Sequence, residues 1–253
     1  MIDEKTFAET PMGKAVIELS EEMEKQNIPP ISINVIGGFA LMMKDIRDPY
    51  ATTDIDYVGD SLPDNFNRLS DRIGLKHSLG QGWINKDVML SDITMEEFEE
   101  STGKLHFTES MQIGNIKINV LDEKDVLRMK LIAVDTSITA VEEDGDFSRI
   151  KDLPDVTKLM ERNGLKSDEI LDKYYPDYVI NDKTPEIIQT YIDGGNEAVL
   201  KMIDEIAPKK NAWAERQRSN AVKPERSAFL DNYLSNLFGQ NDAASINDTF
   251  GPR

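Results

Sequence analysis

The chain has 253 residues and carries 47 Asp and Glu against 29 Lys and Arg, which gives a formal net charge of -18. A surface this acidic repels phosphate backbones and argues against a protein that coats nucleic acid. Cysteine is absent and there are only two histidines, which excludes disulfides, thiolate zinc sites and histidine-rich metal sites, so any bound metal must have oxygen ligands.

The first residues, Met-Ile-Asp-Glu-Lys-Thr, lack the basic start and apolar core of a secretory signal. No apolar run approaches the length that spans a bilayer. We therefore expect a cytoplasmic protein without a membrane segment. A chain of this length can bury a sizeable core, in one large domain or two modest ones.

The first strand is predicted to end at a pair of glycines. Residues 12–27 follow a helical period that Pro29-Pro30 ends, and the apolar run 31–36 then predicts a buried strand. Gly37-Gly38 follow, and an apolar-periodic helix begins at once. Glycines let the backbone approach a ligand closely, and the first N–H groups of a helix suit a phosphate. The sequence therefore predicts an anion-binding turn here.

The second strand is predicted to carry two carboxylates on one face. In Thr53-Asp54-Ile55-Asp56-Tyr57-Val58, Asp54 and Asp56 are two residues apart, so their side chains point the same way in a strand. Two like charges this close repel each other, and a divalent cation is the usual reason for placing them together. The sequence therefore predicts a Mg²⁺ or Mn²⁺ site at this pair.

A diglycine turn followed by Asp-x-Asp resembles the signature of the polymerase-beta-like nucleotidyltransferase superfamily. More narrowly, Gly37-Gly38-Phe-Ala-Leu, then Arg47, then Thr53-Asp54-Ile55-Asp56 is similar to the toxin-type nucleotidyltransferases of bacterial toxin–antitoxin and phage-defence operons. The resemblance implies a mixed-sheet α/β (α+β) nucleotidyltransferase core and a nucleoside triphosphate as substrate. It also implies that the two aspartates are catalytic metal ligands and that four residues bind the nucleotide: Gly37, Gly38, Arg47 and Thr53.

The middle of the chain is predicted to continue the α/β layer, because a helix is expected between successive strands. Residues 63–74 predict a short helix that ends at Gly74, and Gly80 to Asn85 are interpreted as a loop. Three short strands are then predicted at 105–108, 110–113 and 116–121, with a hairpin at Gly114-Asn115.

Asn119 breaks the pattern of the superfamily, which commonly places a third carboxylate on such a strand beside the Asp-x-Asp pair. The nearest acid, Asp122, is at the strand end. An Asn oxygen can ligate a metal weakly but cannot take a proton at neutral pH. Asn119 therefore keeps open a degenerate nucleotidyltransferase-fold protein that binds nucleotide or a protein partner without turnover. A structural protein in which Asp-Ile-Asp is a surface edge is a second alternative to an enzyme.

Lys130 lies in the apolar segment of a helix predicted for residues 123–143. A lysine there either snorkels to solvent or binds a phosphate. The segment, together with Arg149-Ile-Lys-Asp152-Leu-Pro-Asp155, also resembles motifs of the toxin-type family. The resemblance implies that Lys130 contacts nucleotide phosphates and that Asp152 completes the active site, with Asp155 as the reserve candidate. Alternatively, both aspartates only interact with the start of the next helix.

The acidic, glycine-containing segment Glu142 to Phe147 is the predicted domain boundary. It divides a nucleotidyltransferase-like core (1–143) from a helical domain (144–238), and a tail (239–253) with little to bury is expected to be flexible. The helices of the second domain are predicted at 154–163, 167–174, 185–206 and 225–238.

One stretch reverses the overall charge. Its basic residues surround an aromatic side chain, as in proteins that grip a nucleic-acid backbone and stack a base. It is interpreted either as a contact for RNA such as tRNA, or as a solvated helix or one that docks on the chain's own acidic surface. The residues are Lys209, Lys210, Trp213, Arg216 and Arg218.

Together these features predict metal-dependent transfer of a nucleotide from a nucleoside triphosphate to a hydroxyl acceptor, on RNA such as tRNA or on protein. The toxin-type resemblance adds a cognate antitoxin as an expected partner.

Overall fold

The computed structural model describes residues 1–49, 51–86, 104–143, 148–166 and 181–206. Within these ranges the chain forms seven α-helices and one five-stranded mixed sheet, which confirms the predicted α/β class. The helices are α1 (Glu4–Glu9), α2 (Pro11–Lys25), α3 (Gly37–Met43), α4 (Asp64–Lys76), α5 (Glu123–Glu143), α6 (Leu153–Arg162) and α7 (Thr184–Ile206). A 3-10 turn, Ser148–Asp152, precedes α6.

The sheet has the strand order β3-β2-β1-β5-β4. Its strands are β1 (Ile31–Val35), β2 (Ile55–Val58), β3 (Ile84–Asn85), β4 (Phe107–Ile113) and β5 (Ile116–Leu121). The central strand β1 pairs antiparallel with β2 and parallel with β5, while β2 and β3 run parallel. The carboxyl end of β1, from which α3 starts, therefore lies beside the beginning of β2.

One face of the sheet is apolar because alternate strand residues point to the same side. Ile33, Val35, Ile55, Ile118 and Val120 are all buried in a single hydrophobic core. Helix α3 packs against β2, β5 and α5, and α5 in turn packs against α6 and α7. The sheet and the helices that follow it are thus held together by one continuous core, with α3 and α5 close to the end of β1.

The helix predicted to end at Gly74 continues to Lys76. A Cβ atom on Gly74 would collide with the carbonyl oxygen of Gly80 and with the ring of Trp83. The glycine is therefore needed for close packing inside α4 and does not terminate the helix. Since that contact is tertiary, the local sequence pattern does not distinguish it from a helix end.

The strands differ from the prediction in two places. The strands predicted at 105–108 and 110–113 are replaced by the single strand β4, which begins only at Phe107 and has an irregularity between Phe107 and Glu109, whereas the Gly114-Asn115 hairpin is confirmed. The predicted loop from Gly80 to Asn85 contains the two-residue strand β3. Its pairing is set by contacts with β2, such as the Ile55 N–H that donates to Trp83 O at 2.6 Å.

The predicted helix 185–206 is interrupted. Gly195 has φ 65° and ψ -161° inside α7, a conformation that glycine adopts easily. The Thr190 hydroxyl contacts Met202 Sδ at 3.5 Å, although the two residues are twelve positions apart. A straight helix would separate them by about 18 Å, so the two halves of α7 fold back on each other.

The predicted domain boundary, Glu142 to Phe147, begins with the last two residues of α5, and its remaining residues 144–147 lie outside the described residues. The helices predicted at 167–174 and 225–238, the basic stretch with Trp213 and the tail from 239 lie outside them as well. Of the helices that are described, none combines the length and apolarity needed to cross a bilayer.

Candidate active site

A cleft of about 730 Å³ opens where the end of β1, the start of β2, α5 and the start of α6 meet. Every residue that the sequence nominated for catalysis or nucleotide binding lines this cleft. They are Gly37, Gly38, Arg47, Thr53, Asp54, Asp56, Lys130 and Asp152, together with the reserve candidate Asp155. The two motif regions, about a hundred positions apart in the chain, therefore face each other in space.

The two aspartates of the Asp-x-Asp pair lie on the cleft side of β2. Ile55 and Tyr57 point into the core, while Asp56 is half-buried and Asp54, just before the strand, is exposed. The alternation expected for a strand is thus observed. The Thr52 hydroxyl donates to Asp54 Oδ1 at 3.2 Å, which orients this carboxylate.

Burial raises the pKa of the Asp56 carboxyl, and the negative charge of Asp54 raises it further. A hydrogen bond from Asn85 and the charges of Lys130 and Arg149 lower the same pKa, but they do not offset the first two effects. Ionised Asp56 is therefore less stable here than in water. A cation bound between the two carboxylates would remove this penalty.

The diglycine turn lies directly against charged side chains. Gly37 has φ +61°, and a Cβ atom placed on it would lie 2.9 Å from Asp56 Oδ2. A Cβ on Gly38 would lie 2.5 Å from Arg47 Nη1. The sequence predicted glycines that let a ligand approach. The structure gives them a second reason, because any larger residue would displace Asp56 or Arg47.

Lys130 joins two buried aspartates. Its ammonium lies 2.5 Å from Asp152 Oδ1 and 3.0 Å from Asp155 Oδ2. Arg47 forms a second ion pair with Asp155, and Arg149 lies 3.6 Å from Asp152. Lys130 therefore does not snorkel out to bulk solvent, because its charge is held inside the cleft. Asp152 and Asp155 do more than interact with the start of α6, since they hold three cations in place.

Asn119 does not lie beside the aspartate pair, because β1 separates β5 from β2. Its amide donates to Ser32 Oγ at 2.9 Å and to Asn34 Oδ1 at 2.8 Å. The residue paired with Asp56 on the neighbouring strand is Asn85 of β3, which hydrogen-bonds the Asp56 carboxylate. The position next to the aspartate pair is thus occupied by the neutral amide of Asn85, whereas the sequence predicted that of Asn119.

Sequence reasoning gave no role to several polar residues of the site. Asn85 escaped notice because a two-residue strand has no recognisable periodicity. Arg149 and Lys151 both precede Asp152 in the motif, and Lys158 follows Asp155 by three positions on α6, so helical spacing was the available signal. Thr52 precedes the Asp-x-Asp stretch and gave no signal.

The donor set fits Mg²⁺ if a nucleotide supplies further ligands. Among the described residues, no group of three or more His, Cys, Asp or Glu side chains is arranged to hold a metal ion. Asp54 and Asp56 offer two carboxylates, and Mg²⁺ is usually bound through one or two carboxylates together with substrate phosphates and water. These two residues would therefore hold the ion only in combination with a phosphate-bearing ligand.

Comparison with known proteins gives no relative: no family model matches the chain, and neither a curated protein nor a solved structure matches it. The resemblance to nucleotidyltransferases therefore depends on the motifs and on the residues that line the cleft.

Replacing Asp155 by Asn should destabilise the protein by about 3 kcal/mol, because it leaves the charges of Arg47 and Lys130 with one carboxylate fewer in a buried site. Chemical denaturation measures this change. Glu161→Gln, the same type of substitution at an exposed position of α6, should change the free energy of unfolding by less than about 0.5 kcal/mol. Equal effects of the two variants would contradict a structural role for the ion pairs.

Asp56→Asn should raise the free energy of unfolding at neutral pH. Since the folded state raises the pKa of Asp56, it binds the proton more tightly than the unfolded chain does, and ionised Asp56 lowers stability at neutral pH. The gain from the substitution should shrink as the pH falls through the folded-state pKa toward the ordinary value of 3.8. Denaturation curves across this range test it, with the exposed Asp60→Asn as control. A gain that is independent of pH would argue against the electrostatic cause.

Proposed function

We propose that this chain is a metal-dependent nucleotidyltransferase of the polymerase-beta-like superfamily, in the toxin-type branch. It would move a nucleotide from a nucleoside triphosphate to a hydroxyl acceptor. The supporting observation is that Asp54 and Asp56 share one cleft with Lys130 and Asp152. The sequence separates these two pairs, and a site that uses both would give a functional reason for bringing them together.

Asp54 and Asp56 would hold Mg²⁺ or Mn²⁺. When bound, the ion would lower the pKa of the attacking hydroxyl and neutralise charge on the triphosphate. The chain contributes a fixed pair of carboxylates, one of them oriented by Thr52. Asn85 supports the second carboxylate through its hydrogen bond to Asp56.

The ion-paired basic side chains of the cleft would stabilise negative charge that develops during transfer. Arg47 and Lys130 are held in fixed positions by Asp155 and Asp152, so they need little rearrangement when charge forms. Asp152 acts in this proposal mainly by holding Lys130, and a direct role as base or metal ligand is the alternative. Gly37, Gly38 and the exposed Thr53 would contact the nucleotide from the β2 side.

The acceptor would be a hydroxyl on RNA such as tRNA, or on a protein. The basic stretch with Trp213, outside the described residues, is the proposed contact for RNA. In this proposal the protein acts in the cytoplasm, where triphosphates and Mg²⁺ are present, as the toxin of a toxin–antitoxin or phage-defence pair, with a cognate antitoxin as its partner.

A second function is favoured by one observation. The residue beside Asp56 on β3 is the neutral Asn85, and the cleft has no third carboxylate on that strand. A protein with this fold that binds a nucleotide or a partner without turnover would show the same feature. The experiment must therefore separate binding from transfer.

Incubation with cell RNA and protein, Mg²⁺ and each α-labelled nucleoside triphosphate should label one acceptor. Asp54→Ala should reduce labelling by at least about 100-fold, because loss of a residue that only supports a metal ligand already costs about 10–100-fold. Asp60→Ala, which removes an exposed carboxylate just beyond β2, should leave labelling unchanged. Chelation of the metal should abolish labelling.

Thermal denaturation with Mg²⁺ and triphosphate distinguishes the remaining outcomes, because a ligand that binds only the folded state raises the midpoint. A raised midpoint without labelling by any of the four triphosphates would contradict transfer and favour the binding protein. An unchanged midpoint at millimolar ligand would contradict both and favour a structural protein.

A further inference from the structure

The basic side chains of the cleft differ in what they already bind. Three of them, Arg47, Lys130 and Arg149, form ion pairs with Asp152 or Asp155. These aspartates belong to the protein itself and are buried beside the three cations, so they compete with any phosphate that approaches. A phosphate therefore gains less from these cations than from an ammonium group with open donor positions.

Lys151 and Lys158 are in a different situation. Both line the cleft and both are exposed, and among the described residues neither forms a salt bridge. Lys158 donates one hydrogen to the carbonyl of Ile46 at 3.3 Å, and an ammonium group has three donors, so two remain. On a chain with a net charge of -18, these are the cleft cations that a polyanion can contact without breaking an ion pair.

The two lysines also belong to elements other than β2, the strand that carries the carboxylate pair. The carboxylate wall comes from β2, whereas Lys151 belongs to the 3-10 turn and Lys158 to α6. If the α-phosphate lies at Asp54 and Asp56, the remaining phosphates can extend across the same cleft toward Lys151 and Lys158. The cations with open donors across the cleft are where a polyphosphate tail is stabilised.

We propose that Lys151 and Lys158 bind the β- and γ-phosphates of the nucleoside triphosphate, whereas Arg47 and Lys130, held by their aspartates, act on the charge that develops during transfer. This inference rests on the proposed function, because it takes a nucleotide as the ligand of the cleft. It predicts that the site discriminates nucleotides by the length of their phosphate chain. It also predicts that inorganic tripolyphosphate binds without a nucleoside.

Binding is measured by calorimetry with Mg²⁺ and ATP, AMP, tripolyphosphate or a short RNA. Lys151→Ala and Lys158→Ala should each weaken binding of ATP and of tripolyphosphate about 10-fold, as expected for loss of a charged hydrogen bond at an exposed site. AMP binding should be unchanged. Lys151→Arg and Lys158→Arg, which keep the charge, should restore most of the affinity.

Lys14→Ala is the matched control, since Lys14 is exposed on α2, does not line the cleft, and its substitution changes the charge by the same amount. It should leave every affinity unchanged. An equal loss with this control would assign the effect to net charge alone and overturn the inference. Melting temperatures of all variants confirm that each one is folded.

The remaining outcomes separate the inference from the proposed function. If ATP binds equally well to the unsubstituted protein and to a double variant with both Lys151→Ala and Lys158→Ala, the lysine assignment is wrong and the proposed function stands. If tripolyphosphate binds through the lysines but ATP does not bind, the phosphate site stands and the proposed function fails. Loss of RNA binding alone would overturn the assignment to the triphosphate tail. No binding of either ATP or tripolyphosphate would overturn both.

Discussion

The site depends on the ion pairs that Lys130 forms with two buried aspartates. Lys130 comes from α5, while Asp152 and Asp155 come from the 3-10 turn and the first turn of α6. Buried charges are stable only when they are paired, so this contact fixes the two helices in one arrangement. Arg47 extends it to the segment after α3, and that segment leads directly to the Asp-x-Asp pair. Both walls of the cleft are thereby held in place.

The wall that carries Asp54 and Asp56 differs, because the negative charges of these two aspartates are not balanced by ion pairs with basic side chains of the described residues. The close approach of Gly37 brings the turn against Asp56, and the pKa of Asp56 is raised by burial and by Asp54. The carboxylates of Asp54 and Asp56 would thus be stabilised by a bound cation. Across the cleft, Lys151 and Lys158 are positively charged and form no ion pair with Asp152 or Asp155. A metal–polyphosphate complex would supply positive charge to the carboxylates and negative charge to the lysines.

The sequence predicted the parts of the site that have a local signature. The diglycine turn, the alternation around Asp54 and Asp56 and the helical period of α5 all follow from residue spacing. The partners of Lys130 could not be predicted in this way, because Asp152 and Asp155 meet it only through the packing of α5 on α6. Asn85 was missed for a similar reason, since β3 exists only as an addition to β2. The break of α7 at Gly195 likewise depends on contacts between its two halves.

The most direct test of the central claim uses the paramagnetism of Mn²⁺. Nuclear magnetic resonance spectra of the protein are recorded with Mn²⁺ alone and with Mn²⁺ and a non-hydrolysable triphosphate analogue. The account predicts that the amide signals of Asp54, Asp56 and Gly37 broaden strongly only when both ligands are present, because two carboxylates need phosphate oxygens to complete the ion's coordination. Broadening at a different surface, or none at these residues with both ligands at millimolar concentration, would contradict it.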